Sequence, residues 1–121
     1  LGVEDAVVGL GFLRDEYLRE LYGTADALLF PSKYEGFGIP PIEALACGCP
    51  VVASSRTAIP ESVGDAGWLV DPGDKEGWVR VVSEVVARAR VKNPTAGRLW
   101  ASGFSWDQTA DKLLRIVETA A

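Results

Sequence analysis

An α/β fold, with a parallel sheet covered by helices on both faces, is what this sequence predicts. Along its first two-thirds, short apolar runs alternate with amphipathic stretches, and the runs are continuous, as strands buried on both faces require. With 121 residues, 48% hydrophobic and 24% charged, the chain also has the size and balance of one globular domain with a real core.

The elements follow in order. "AVVGLGFL" at 6–13 reads as a buried strand. "RDEYLRELYGTA" reads as a helix, because Leu18, Leu21 and Tyr22 recur at helical spacing and Asp15 and Glu16 occupy the first turn, where the macrodipole favours them. "DALLFP" at 26–31 is the next strand, and such strand–helix–strand units imply right-handed crossovers. A helix starts near Pro40 or Pro41, since proline suits the first helical turn. "PVVAS" at 50–54 and "GWLVDP" at 67–72 complete the strands. From Asp74 the pattern is helical: Trp78, Val81, Val82, Val85 and Val86 form one stripe, and "NPTAGRLWASG" opens a second helix on an Asn–Pro signal. In "FSWDQTADKLLRIVETA", Ser105 is a natural N-cap with Gln108 as capping-box partner, and Leu113, Leu114 and Val117 continue a buried face. There is no internal repeat, low-complexity tract or domain boundary.

Composition narrows the function. Twelve basic against 17 acidic residues leave a net charge of −5, which opposes the counterion-release binding that nucleic acids reward. The absence of histidine nearly excludes a zinc site or a serine–histidine couple. Cys47 and Cys49 flank Gly48 too closely to close a useful loop and read as reduced thiols. No apolar run reaches membrane-span length and no secretion signal is present, so the cytoplasm is the default compartment. The opening "LGVED" and the lack of methionine read as a piece of something longer.

The chemistry concentrates in "YEGFGIPPIEALACG", residues 34–48, where Glu35 and Glu43 bracket glycine, phenylalanine and proline with no other charge. This loop leaves the carboxyl end of a strand and feeds a helix N-terminus, the edge at which open α/β sheets bind ligands. Gly36 and Gly38 permit close backbone approach, and Glu43, expected in the helix's first turn, points with Glu35 at one pocket. A carboxylate accepts two hydroxyls at once, as the acidic residue that grips ribose in dinucleotide-binding domains does. The competing readings are a helix-dipole partner for Glu43, worth about 0.3–1 kcal/mol, and a solvated loop residue for Glu35. Together with the intervening glycines, the pair favours a ligand site. Trp68, Trp78, Trp100 and Trp106 fall on apolar faces and read as core packing. Glu61 reads as structural, and Lys33 and Ser32 are ambiguous.

"FPSKYEGFGIPPIEALACGCPVVAS", "IPESVGDAGWLVDP" and "FSWDQTADKLL" closely resemble the carboxyl-terminal domain of GT-B retaining glycosyltransferases of family 4, from about Val7 to the end. The most specific part is the pair of glutamates separated by seven residues. The resemblance implies a Rossmann-like sheet and transfer of a sugar from a nucleotide-sugar donor (UDP-, GDP- or ADP-linked) to an acceptor hydroxyl. It gives Glu35 contacts to the transferred sugar, Glu43 contacts to the ribose, and the backbone of Gly36, Phe37, Gly38 and Ile39 the sugar and phosphate region. No cofactor, metal or protein nucleophile is implied. Where many relatives carry a glycine-rich turn, this chain has Arg56, Thr57 and Ala58, which ranks that turn below the glutamates as a site.

On this reading residues 1–121 are a donor-binding fragment, inactive alone, that lacks the basic phosphate-binding stretch and the amino-terminal acceptor domain. The full-length enzyme is cytoplasmic, with peripheral attachment to a membrane as the alternative. Without the first two strands of its sheet, the fragment forms either a rearranged four-stranded sheet or an oligomer. The rival functions are a GT-B sugar phosphorylase or synthase and a non-catalytic nucleotide-sugar binding module.

Overall fold

A computed structural model describes residues 2–89 and 94–120. After a 3₁₀ turn at Glu4–Ala6, the elements are α1 (Asp15–Thr24), β1 (Leu28–Phe30), α2 (Ile39–Ala46), β2 (Val51–Ser54), α3 (Ile59–Val63), β3 (Trp68–Val70), α4 (Lys75–Ala89), α5 (Thr95–Ala101) and α6 (Trp106–Ala120). A second 3₁₀ turn, Gly64–Ala66, joins α3 to β3.

The strands lie parallel in the order β1–β2–β3, with Leu28 opposite Val51 and Val52 opposite Trp68. All four residues of the central strand are buried, because successive side chains point to opposite faces and both faces are covered. Val51 and Ala53 join Tyr22, Ala44, Leu45, Ile59, Val63 and Ala101 on one face, from α1, α2, α3 and α5. Val52 joins Val70 and Val85 on the other, with Trp78, Val81 and Val82 of α4 packed around them. The expected helices on both faces are therefore present.

Three expectations are corrected. The run at 6–13 is not a strand: Val7, Val8 and Leu10 are exposed and Phe12 is 94% exposed. Apolar character alone does not make a strand. Its N–H and C=O groups need a neighbouring ladder, and among the described residues none lies beside this segment. The sheet accordingly has three strands rather than a rearranged four, and β1 keeps an open edge. In α6 the helix and its Ser105 cap form as expected, with the Gln108 N–H donating to Ser105 Oγ at 3.4 Å. The face bearing Leu113, Leu114 and Val117 nevertheless stays exposed, because nothing among the described residues packs over it. Finally, Trp106 is 81% exposed and does not pack in a core. Trp68 and Trp100 lie at its margin, while Trp78 anchors α4 by donating its indole N–H to Asp71 O at 3.0 Å.

Within α4 the stripe behaves as expected except at exposed Val86. In α1, Tyr22 is buried and Leu21 is exposed. Asn93, half of the Asn–Pro signal, lies outside the described residues. Cys47 and Cys49 are not joined to each other in a disulfide, and the Cys49 thiol donates to Pro50 O at 3.5 Å. No helix among the described residues is long and apolar enough to cross a membrane.

Candidate functional site

Because the three strands are parallel, the loops that leave their carboxyl ends, 31–38, 55–58 and 71–74, gather at one edge of the sheet. They are bonded to one another. The Glu35 N–H donates to Thr57 Oγ1 at 3.1 Å, across 22 residues of sequence, and the Arg56 guanidinium pairs with Asp71 Oδ2. Asp71 Oδ1 accepts from the Gly73 N–H at 2.9 Å. This backbone hydrogen bond, with the Arg56 guanidinium, holds the Asp71 carboxyl below the usual carboxylate range.

The Glu35 loop passes into α2 through Gly38, which caps the helix at φ +90°. Only glycine adopts that conformation freely, and a Cβ there would lie 3.0 Å from the buried Ser62 Oγ. Gly36 meets open space. With Ile39 as the first helical residue, Pro40 and Pro41 follow in the first turn, where their missing N–H groups cost nothing. Glu43 therefore falls in the second turn, not the first as expected from the sequence. Pro41, Ala44 and Leu45 face the core, and Ile39, Glu43 and Ala46 form the outward stripe.

That stripe faces two hollows. On one side a cleft of about 470 Å³ between α2 and the start of α6 is lined by Phe37, Ile39, Glu43, Trp106, Gln108 and Lys112, among others. On the other, a groove between α1 and α2 is lined by Asp15, Arg19, Tyr22 and Glu43. Burial raises the pKa of the Tyr22 hydroxyl, and the neighbouring Glu43 carboxylate raises it further. The Phe37 ring meets Phe104 edge-on at 5.9 Å, and Phe104 meets Trp100 at 6.0 Å. The Trp100 indole N–H in turn donates to Ser62 O at 3.0 Å.

The structure thus brings Phe37, Ile39 and Glu43 together at one cleft. It sets half-buried Glu35 slightly apart, tied to the Thr57 turn, with Gly36 and Gly38 as the links between. Lys33 and Glu61 are exposed, Glu61 in the first turn of α3. Thr57 and Trp106 are the residues that the sequence reading ranked too low, the first because its turn departs from the glycine-rich form common in relatives, the second because an aromatic on an apolar helix face reads as core. Among the described residues no cluster of metal-ligating side chains occurs.

Fold and loop cluster together define a glycosyltransferase domain of the GT-B architecture. The chain belongs to the family Glycosyl transferases group 1, which matches residues 1–98. It is 54% identical over 65 residues to the O-antigen chain mannosyltransferase B of Escherichia coli, covering 54% of this chain and 17% of that protein. It is 40% identical over 116 residues to the D-inositol 3-phosphate glycosyltransferase of Mycobacteroides abscessus, covering 94% of this chain and 26% of that protein. Among solved structures it resembles the sucrose-phosphate synthase of Thermosynechococcus elongatus, with a TM-score of 0.85 at 30% identity, over 98% of this chain and 32% of that one. The chain therefore spans between about a sixth and a third of the proteins it matches.

Proposed function

We propose that residues 1–121 are the donor-binding, carboxyl-terminal part of a retaining glycosyltransferase that moves a sugar from a nucleotide-sugar donor to an acceptor hydroxyl. The observation that carries this reading is the placement of Glu35 and Glu43 on either side of left-handed Gly38, at the carboxyl edge of a parallel sheet, in a chain of this family. Glu43 accepts the ribose hydroxyls, Glu35 accepts hydroxyls of the transferred sugar, and the backbone of Gly36, Phe37, Gly38 and Ile39 lines the sugar and diphosphate. Charge developing on the leaving diphosphate is stabilised by preorganised donors such as helix N-termini and basic side chains, the latter supplied from outside this chain. The acceptor site belongs to an amino-terminal domain, no metal takes part, and the enzyme works in the cytoplasm. A second reading, synthase chemistry on the same architecture, is favoured by the likeness to sucrose-phosphate synthase.

Calorimetric titration of the full-length glycosyltransferase carrying this chain with UDP-, GDP- and ADP-sugars tests the proposal. One nucleotide class is expected to bind, and Glu43→Ala to weaken it. Binding of none of the three, or equal binding by the variant, overturns it.

A further inference from the structure

We propose that Thr57 is a positioning residue for Glu35: its hydroxyl holds the Glu35 backbone so that the carboxylate stands at the reach set by the Ser54–Thr57 turn. The sugar-directed part of this inference rests on the donor-binding reading above.

Thr57 is the only non-glycine residue at positive φ among the described residues, at +54°, and a β-branched side chain is disfavoured there. Such a conformation persists only where its surroundings over-determine it, and the surroundings here are explicit. The Arg56 N–H donates to Ser54 Oγ at 3.2 Å, the Ser55 N–H to Val70 O at 2.9 Å, and the Arg56 guanidinium to Asp71. The turn is thereby clamped at Ser55 and Arg56 to β2, to β3 and to Asp71, the residue after β3. The Thr57 hydroxyl proton is committed to Arg56 O at 2.9 Å, which leaves its oxygen lone pairs to accept the Glu35 N–H at 3.1 Å.

A hydroxyl oriented by one bond to accept another is a positioning device, and it acts on the residue that carries the sugar contact. Ser32 Oγ donates to Tyr34 O at 3.2 Å, the carbonyl end of the same peptide group, but from within the loop itself, and Phe37, two residues further on, rests on Phe104. Thr57 supplies the tether that fixes this peptide to the neighbouring turn, 22 residues away.

The test reads the Glu35 amide in the ¹⁵N-labelled chain, and in the full-length glycosyltransferase carrying it the affinities for two ligands, a nucleotide sugar and the matching free nucleotide diphosphate. In Thr57→Val, the Glu35 amide proton is expected to shift and exchange faster. Affinity for the nucleotide sugar relative to the free nucleotide is expected to fall by roughly three- to tenfold, the scale of one neutral hydrogen bond. Affinity for the nucleotide alone, held by Glu43, stays at the wild-type value. Thr57→Ser restores both readouts. If Thr57→Val does not fold, Thr57→Gly accepts the left-handed backbone without strain and lacks the hydroxyl, so it makes the same comparison. A Glu35 amide unchanged in Val or Gly, an unchanged affinity ratio, or no rescue by serine overturns the proposal. If the wild-type full-length enzyme binds neither ligand, the donor reading and the sugar-directed half fail together, while the amide readout in the chain still decides whether Thr57 holds Glu35.

Discussion

In the proposed donor site, two side chains are placed to divide the labour. Glu43 sits on a rigid helical stripe beside Tyr22, whereas Glu35 sits on a loop tied to Thr57. Hydrogen bonds to a charged group contribute about 1.5–3 kcal/mol, so each alanine substitution should cost about tenfold or more. In the glycosyltransferase carrying this chain, Glu43→Ala is expected to weaken donor binding, seen as a raised donor Kd, while Glu35→Ala lowers kcat with donor affinity nearly kept. Unchanged kinetics in both variants would remove the assignment. Asp71 supplies a pH prediction. A carboxyl whose pKa is depressed by folding stabilises the native state above its unfolded pKa and loses that contribution as pH falls through the folded value. Since Gly73 and Arg56 hold Asp71 below the usual carboxylate range, the clamp on the Thr57 turn should stay closed at mildly acidic pH and open only below that range. The Asp71 carboxyl carbon shift followed by NMR reads this directly, and a transition near neutrality would contradict it.

Among the elements, α2 and α6 make the sharpest contrast. Helix α2 buries Ala44 and Leu45 completely or nearly so against β2 and α5. Leu45→Ala is therefore expected to cost about 2–5 kcal/mol, measured as a fall in the chemical-denaturation midpoint. Gly64→Ala should be comparably damaging for a different reason. Gly64 has φ +52° and a Cβ there would run into the Trp100 ring, so strain and overlap add. Helix α6 buries nothing, and most helical stability comes from packing. Ser105→Ala, which removes an N-cap contribution of about 0.5–2 kcal/mol, should thus lower helicity at 222 nm without moving the denaturation midpoint of the sheet. A midpoint that moved with it would mean α6 is coupled to the core.

At the scale of the whole molecule, two faces are left uncovered by the described residues: the edge of β1 and the apolar stripe of α6, with exposed Val7, Val8 and Phe12 besides. An open strand edge is a template for another chain, so the isolated chain should associate with itself as concentration rises, measured by light scattering. Leu113→Asp with Val117→Asp should reduce that association while leaving the β1 edge contribution. A monodisperse monomer at high concentration would count against the prediction. Donor binding is expected to survive EDTA, since among the described residues no cluster of acidic, cysteine or histidine ligands occurs; loss of binding restored by Mn²⁺ would contradict the metal-free reading.

What the sequence determined by itself is whatever short-range chemistry decides. Continuous apolar runs marked β1 to β3, and the central run, β2, is the one buried throughout. The Pro40–Pro41 pair specified the start of α2 to within a residue, because proline's missing N–H is harmless only in the first turn. Ser105 specified the start of α6 in the same local way, and the Glu35–Glu43 spacing marked the site. Tertiary structure alone decided the rest. Whether 6–13 became a strand depended on a neighbouring ladder, and whether Leu113 and Val117 were buried depended on a packing partner. Neither is encoded in a segment's own periodicity. The tie between Glu35 and Thr57 joins residues 22 apart through the parallel register of β1 and β2, and only the assembled sheet brings those two loops to the same edge.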